Sequence, residues 1–578
     1  MLVRDLETMA REAARLARHP VVALDTETSG LDPLTDTLLL VAFSNGVDTL
    51  LCDVRGLPVE GVRAALAPLV EGGPVKALHH AKFDLRMLMP LGLEVRPLAD
   101  TMLNEQILEN GRRESGFSLS ELSSRYLGLP LDKAERQGFI RMAPDEAFTP
   151  AQLEYARRDV LATWQILVQQ MARVQREGAR KVARLEALAV PAFADMEQRG
   201  VLVDAVAWRE VIRRAQAEGD AARAEMDRHF RKVANVDLLG AVDLNYDSDV
   251  DVRDALGKLG VHLQSTQKGE LLHSGHPAAV ALVAYREAHK LVSTYGESFL
   301  SHVHPRTGRI HASFRQIGAS TGRVSCERPN LQNVPKDSAL RSCFHAPPGR
   351  ALITADYAAC ELRILAHLSR DPVFLAAFER GEDVHAKVAS QVFGVPVSKQ
   401  SHPELRERAK AISFGLIYGM GAAGLAAQTG QSLDEAEALL AQYFRQFPRI
   451  DATLHDLERQ VRERGYAQTV LGRRLYLERD FLDRQSGAAA RLSRNMPIQG
   501  TSADITKLAM AFIHERLRGR DAFLVNTVHD ELLIECPAAE AERVGAEVKQ
   551  EMERAMAAVV PGVSPLAEVR VGDTWAKG

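Results

Sequence analysis

Long apolar runs are missing from these 578 residues. No stretch approaches the ~18 residues a membrane-crossing helix needs, so no such span and no membrane partner is expected. The N-terminus, MLVRDLETMAREAARLARHP, has no apolar core and carries Asp5 and Glu7, which argues against a signal peptide. Cysteine is scarce: Cys52, Cys326, Cys343, Cys360 and Cys536 are scattered, odd in number and form no CxxC pair. That pattern excludes a disulfide framework or a zinc cage and fits reduced thiols in a cytoplasmic protein. Basic charge is not in excess either. With a net charge of −4, any nucleic-acid contact must come from local positive clefts. Repeats and low-complexity segments are absent.

What remains is ordinary globular sequence, 46% hydrophobic and 26% charged, long enough to bury several cores. Apolar runs at 20–24, 37–43, 48–53 and 75–79 read as strands. They interleave with helical stretches at 59–70, 81–89, 100–109 and 150–172, which predicts an α/β domain ending near residue 175. Residues 176–300 are mostly helical, with a polar piece at 245–252. Beyond 310 the character changes. RALITADY (350–357) reads as a strand ending in Asp, 401–418 as a helix, and 522–536 as a β-hairpin with His529 and Asp530 near its turn.

Asp25 and Glu27 stand two apart at the end of the first apolar run, so strand alternation puts both on one face. At about 4 Å and an effective dielectric near 20, two carboxylates repel by roughly 4 kcal/mol, and a divalent cation would reverse that sign. A strand end entering solvent explains the pair alone equally well. Lys82-Phe83-Asp84 follows a second strand and opens a helix; Tyr155 and Asp159 are i and i+4, on one helix face. The order DxE, FD, YxxxD resembles the three motifs of DnaQ-type proofreading exonucleases, over roughly residues 20–172. The resemblance implies that Asp25, Glu27 and Asp159 hold one metal ion, that Asp25 and Asp84 help place a second, and that Tyr155 and Glu27 orient the attacking water. His80 stands where the family usually has Asn.

Asp356 and Asp530 lie 174 residues apart, and each alone is an ordinary strand-end or turn Asp. Their surroundings say more. ADYAACELRILAHLS and VHDELLIE resemble motifs A and C of the DNA polymerase I family (family A), and RERAKAISFGLIYG resembles its fingers helix. STGRVSCERPNLQNVP, DVHAKVA, GYAQTVLGRRLYL and RNMPIQGTSADI follow the same family in the same order, spanning about residues 198–575. Independently of that match, Ser401 and Glu404 form a capping-box pattern that starts the helix. Arg406, Lys410, Phe414 and Tyr418 then recur every four residues as a winding stripe: two cations, then two aromatics. Such a stripe suits a nucleotide, but taken without the surrounding motifs it reads sooner as a solvated basic face beside a packed aromatic pair. Gly419, Gly421 and Gly424 fit GxGxxG, but they follow a helix rather than a strand, so they end that helix and permit a turn.

The family A resemblance implies two Mg²⁺ ions on Asp356, Asp530 and the Tyr357 carbonyl, and two more at the exonuclease acids, with Mn²⁺ able to substitute. Arg406, Lys410 and His385 would neutralise a triphosphate, with Lys410 also catalytic. Phe414 and Tyr418 would line the sugar and base pocket, and Glu361 would be the gate that rejects a 2′-hydroxyl. Arg323, Gln332, Arg491, Asn495, Gln499 and His529 would contact DNA. The implied protein is a monomeric, primer-dependent DNA polymerase using dNTPs on primer-template DNA, with 3′→5′ proofreading and without a 5′-nuclease domain. It would work in the cytoplasm, or the host cytoplasm if phage-encoded. The implied fold is an RNase H-like α/β exonuclease domain (1–175) joined to a right-hand polymerase domain (176–578), with an α+β palm and helical fingers and thumb. Within the latter the thumb is expected at 185–300, the palm at 305–372 and 480–578, and the fingers at 373–480. A nuclease with an inert DNA-holding half, or a single-subunit RNA polymerase, are the rival readings. Departures from the family text are Ala358-Ala359 for Ser-Gln, Thr527 for Gln, Glu407 for a second Arg, and a shortened segment after Pro335.

Overall fold

The computed structural model describes residues 1–132, 134–143, 145–236, 242–336 and 339–576. The part of the shortened segment at 337–338 lies outside them. Two compact units emerge. The first holds Met1–Arg199, Ser313–Glu327 and Leu352–Val571; the second holds Gly200–Ala312, Arg328–Ala351 and the chain from Gly572.

The first unit begins with a six-stranded sheet: β1 (Leu2–Val3), β2 (Val21–Thr28), β3 (Leu38–Ser44), β4 (Thr49–Asp53), β5 (Val75–Leu78) and β6 (Leu98–Asp100). Their order is β1-β4-β3-β2-β5-β6. β2, β3 and β4 form an antiparallel meander, and β5 and β6 add parallel to β2. A sheet covered on both faces needs apolar residues on both, and β2 supplies them. Val22 and Leu24 enter one core with Val62, Leu66, Leu85 and Leu88. Ala23 enters the other with Tyr155, Ala156 and Val160 of the long helix Pro150–Arg176. The expected strand at 20–24 thus continues to Thr28, carrying both acids inside it rather than at its end. The reason is the antiparallel partner β3, which pairs Asp25 with Ala42 and Glu27 with Leu40 and so extends the ladder past the apolar run.

A second sheet in this unit has the order Phe523–Val528, Glu531–Pro537, Arg350–Tyr357, Ala567–Gly572. Its first two strands are the expected hairpin, with His529 at φ +58° in the two-residue turn. Helices Thr501–Leu517 and Ala541–Val559 pack together beside it.

The second unit is built on helices Ala205–Phe230 and Pro277–Tyr295, packed side by side. Trp208 stacks on Phe299 at 4.6 Å, and its indole N–H donates to the Tyr295 carbonyl at 2.7 Å. Met226, Phe230, Val252, Leu256 and Leu282 form its core. All five cysteines are buried.

Candidate active sites

Three elements of the first unit bring the exonuclease-type acids together. β2 presents Asp25 and Glu27, helix Ala81–Leu88 presents Asp84, and helix Pro150–Arg176 presents Tyr155 and Asp159. Glu27, Asp84, Tyr155 and Asp159 are each less than a tenth exposed. Thr26 positions Asp84: its backbone N–H and hydroxyl donate to Asp84 Oδ1 at 3.1 and 2.6 Å. Burial, then the charges of Asp84, Glu27 and Asp159, push the Asp25 carboxyl well above the carboxylate range. Burial and Asp159 do the same to Glu27, against the pull of Arg136. Asp84 is raised to about 7, chiefly by burial and despite the Thr26 hydrogen bonds. Burial first, then Asp159 and Glu27, also raise the Tyr155 phenol.

Among the described residues no three His, Cys, Asp or Glu side chains converge as a preformed metal cage. The fit rests on donor chemistry instead. Four hard oxygen donors sit in a buried, mutually repelling group, and Glu27 Oε1 is buried with no hydrogen-bond partner. That is the setting a hard divalent cation relieves.

Asp100 escaped the sequence reading. Buried at the end of β6, it accepts from Ala81 N at 2.7 Å, Met102 N at 2.8 Å and Leu103 N at 3.1 Å, fixing the start of two helices. An Asp just ahead of a helical pattern was the available signal. Next to it, His80 has φ +64°, a left-handed conformation that Asn and His tolerate better than most residues. This gives a backbone reason for both side chains found at this position.

The polymerase-type residues surround the second sheet. Asp356 lies near the end of the Arg350–Tyr357 strand and Asp530 at the turn leading into the adjacent strand Glu531–Pro537. Burial, helped by the charge of Asp530, raises the pKa values of Tyr357 and Cys360, which follow Asp356 in the chain. Tyr357 is buried, its hydroxyl donating to the Met552 carbonyl at 2.7 Å.

Helix Pro403–Ile417 carries the stripe. Its start corrects the capping-box expectation. Pro403 occupies the first helical turn, and a residue before proline is steered away from helical geometry, so His402 is the cap, with no side-chain capping bond. The Ser401 hydroxyl instead accepts from Ser398 N at 3.0 Å. The stripe itself holds. The Phe414 and Tyr418 rings stack at 6.4 Å and 18°, and His385 of helix Val384–Phe393 faces Phe414 at 5.7 Å. Arg406 Nε donates to Asp383 at 2.8 Å and its Nη1 to Glu407 at 2.7 Å; Lys410 lies 3.5 Å from Glu407. Asp383, which the sequence reading passed over, therefore both caps a helix and anchors Arg406. Burial lowers the His385 pKa to about 4, so at neutral pH this ring offers hydrogen bonds rather than charge.

Glu361, 8% exposed, accepts from Arg323 Nη2 at 2.7 Å and hydrogen-bonds Tyr418, whose pKa rises to about 12 through burial and the Glu361 charge. Arg491, Asn495 and Gln499 climb helix Ser486–Asn495 into the π-helical turn Met496–Gly500. A Cβ on Gly419 would meet Arg491 Cγ at 2.5 Å, so this glycine, at φ +68° just past the stripe, marks a close backbone approach rather than a dinucleotide loop. Thr527 is buried in its strand. Gln332 sits in the 3₁₀ turn Leu331–Asn333 of the second unit.

Comparison with known proteins finds two family matches. Residues 224–577 match the model for DNA polymerase family A and residues 1–174 that for a 3'-5' exonuclease. A DNA polymerase I from Chloroflexus aurantiacus is 33% identical over 623 residues, covering 99% of this chain and 63% of the relative. One from Pseudomonas aeruginosa is 33% identical over 602 residues, covering 97% and 64%. The thermostable DNA polymerase I of Thermus thermophilus is 42% identical over 336 residues, 56% of this chain and 40% of its own. The chain thus spans less than two thirds of these relatives' length. Among solved structures, the POL domain of Pol1 from M. smegmatis, in complex with DNA primer-template and dNTP, superposes with a TM-score of 0.81 at 31% identity, covering 100% of this chain and 99% of that one. The fold is accordingly an exonuclease-type α/β domain joined to a right-hand polymerase, and the chain belongs to DNA polymerase family A.

Proposed function

We propose that this chain extends a DNA primer on a template from dNTPs and trims mispaired 3′ ends, with exonuclease (1–175) and polymerase (176–578) parts divided as the motifs divide. One observation carries the polymerase half of the reading. Within a single compact unit, the sheet bearing Asp356 and Asp530 lies with a helix whose stripe runs Arg406, Lys410, Phe414, Tyr418, and Tyr418 closes onto Glu361 and Arg323.

Divalent cations of the Mg²⁺ class, when bound at Asp356, Asp530 and the Tyr357 carbonyl, and at Asp25, Glu27, Asp84 and Asp159, would neutralise charge on the reacting phosphate and favour deprotonation of the attacking oxygen. The chain's own groups do the rest. Arg406 and Lys410 receive the triphosphate, exchanging carboxylate partners for phosphate oxygens. Lys410, paired with the exposed Glu407, gives a proton to the departing pyrophosphate. Phe414 and Tyr418 offer stacking faces for base and sugar. Glu361, buried and held by Arg323, fills the space a 2′-hydroxyl would need. Arg323, Gln332, Arg491, Asn495, Gln499 and His529 contact DNA at acceptors shared by all correct pairs, which tests geometry without reading sequence. In the exonuclease site Tyr155 and Glu27 orient water at the 3′-terminal phosphodiester.

The enzyme works as a monomer in the cytoplasm. Among the described residues no helix is long and apolar enough to cross a membrane. Primer extension with dNTPs against NTPs, beside degradation of single-stranded DNA from its 3′ end, tests the whole reading. Extension with dNTPs and 3′ trimming are expected. NTP preference would favour an RNA polymerase, and trimming without extension a nuclease alone.

A further inference from the structure

Arg473 is almost fully buried, 1% exposed, in a turn that the nucleotide chemistry does not touch. Its Nε and Nη2 donate to Asp504 at 2.9 and 2.8 Å, and Nη2 also reaches Glu186. Lys507 Nζ donates to Glu186 at 2.6 Å, Gln316 Nε2 to Glu186 at 2.5 Å, and Thr469 Oγ1 to Asp504 at 2.7 Å. Two acids thus balance two cations. Burial alone would raise the Glu186 carboxyl, yet Lys507 and Arg473 hold it below the usual range.

Three segments close on this cluster through glycines and backbone. A Cβ on Gly322, the residue before Arg323, would meet Arg473 Nε at 2.6 Å. A Cβ on Gly500, the residue after Gln499, would meet Thr469 Cγ2 at 2.6 Å and the Thr321 carbonyl at 2.9 Å. Val470 N donates to Thr501 Oγ1 at 3.0 Å. The loop presenting Arg323 and the π-helical turn presenting Gln499 are therefore packed against each other and against the Arg473 turn.

The exonuclease-type region adds its own hold. Asn110 Nδ2 donates to the Ser320 carbonyl at 2.8 Å and the Arg474 carbonyl at 2.7 Å, and its own carbonyl accepts from Tyr476 N at 3.0 Å. Arg112 lies over the Tyr476 ring at 3.5 Å, and the Tyr476 hydroxyl donates to Glu177 at 2.8 Å. Glu186 itself belongs to helix Arg180–Arg199, which leaves that region.

We propose that Arg473 is a positioning residue for templated extension: held by Glu186 and Asp504, it fixes the spacing of the loops that carry Arg323 and Gln499, and Asn110 braces the same loops from the exonuclease side. The proposal rests on the DNA-contact roles given above. Discrimination at the primer end depends on this spacing, because groups that test pair geometry must keep sub-ångström separation. The exonuclease region thereby supports the accuracy of extension as well as removing errors.

The test uses the full chain as Glu186→Gln, Asn110→Ala, and Met9→Ala as a control that opens a cavity in the first core without touching the Arg473 cluster's own residues. The readout is kcat/KM for extending paired against mispaired primer ends, with Tm and 3′ trimming of single-stranded DNA measured alongside. Glu186→Gln is expected to lower the paired-to-mispaired ratio at least fivefold and Asn110→Ala about twofold, with trimming within twofold of wild type. Met9→Ala is expected to lower Tm and leave the ratio unchanged. Glu186→Asp, which keeps the charge, is expected to recover most of the ratio. If the ratio is unchanged in both Glu186→Gln and Asn110→Ala, or falls equally in Met9→Ala, the proposal is overturned and the cluster is structural only. Should Glu186→Gln fail to fold, Asn110→Ala decides. A wild-type chain that extends no primer would instead sink the functional reading and this proposal with it.

Discussion

The two acid-bearing sites store opposite kinds of electrostatic energy. In the exonuclease-type site burial and the charges of Asp84, Glu27 and Asp159 raise the proton affinity of Asp25, and burial with Asp159 and Asp84 raises that of Glu27. In the polymerase-type site the key cations are already matched: Arg406 with Asp383 and Glu407, Lys410 with Glu407, Arg323 with Glu361. The first site is held in repulsion and gains from any cation that enters. The second is held in attraction, and a polyanion entering it must displace carboxylates. The lesson is that one site is tuned by what it admits and the other by what it releases.

The sharpest break of this contrast is loss of an acid. Asp530→Ala is expected to lower primer extension by at least ~10³-fold, equivalent to about 4 kcal/mol, and to spare 3′ trimming. Asp25→Ala with Glu27→Ala is expected to do the reverse, both followed on labelled primers. Next is the gate. Glu361→Ala should raise NTP use relative to dNTP by roughly 10–100-fold, the scale of a steric contact worth 1–3 kcal/mol; unchanged selectivity would remove the gate role.

Stored repulsion has a pH signature. Asp84 is raised from the ordinary carboxylate range to about 7, so its protonated form is favoured by the fold. Its stabilising effect is complete below about pH 4 and is lost as pH rises through about 7. With a chelator present, Tm should fall by a few degrees across that window, and Mg²⁺ at pH 8 should restore it. Asp84→Asn should flatten the pH slope. Stored attraction predicts a smaller effect: Glu407→Gln frees Arg406 and Lys410 from one partner and should lower the KM for dNTP by about two- to fivefold, in keeping with exposed ion pairs. Smallest is His80→Asn, which keeps the left-handed backbone and should change trimming less than about twofold.

Local chemistry was legible in the sequence. Asp25 and Glu27 show themselves through strand alternation, and the Arg406–Tyr418 stripe through helical spacing. Boundaries were legible only where one residue decides them. Pro403 moved the start of its helix, and β3 carried β2 beyond its apolar run. Partnerships between distant segments left no local trace. Arg473 and Glu186 meet across 287 positions, and Asn110 meets Ser320 across 210. Nothing in a run of neighbouring residues encodes such a pairing, because each side looks like an ordinary polar residue until the fold closes. Asp383 and Asp100 lay between these cases: both were visible as helix caps, but their second tasks, anchoring Arg406 and fixing the turn at His80, exist only in three dimensions.

The four exonuclease-type acids and the pair Asp356 and Asp530 fall within one compact unit, which also holds the helix Arg180–Arg199. A hinge between them would have to tear open a dry, charge-balanced seam. On the proposed function, passing a strand end from one site to the other therefore falls to the nucleic acid rather than to a hinge in the protein, which would serve as a fixed workbench with two stations.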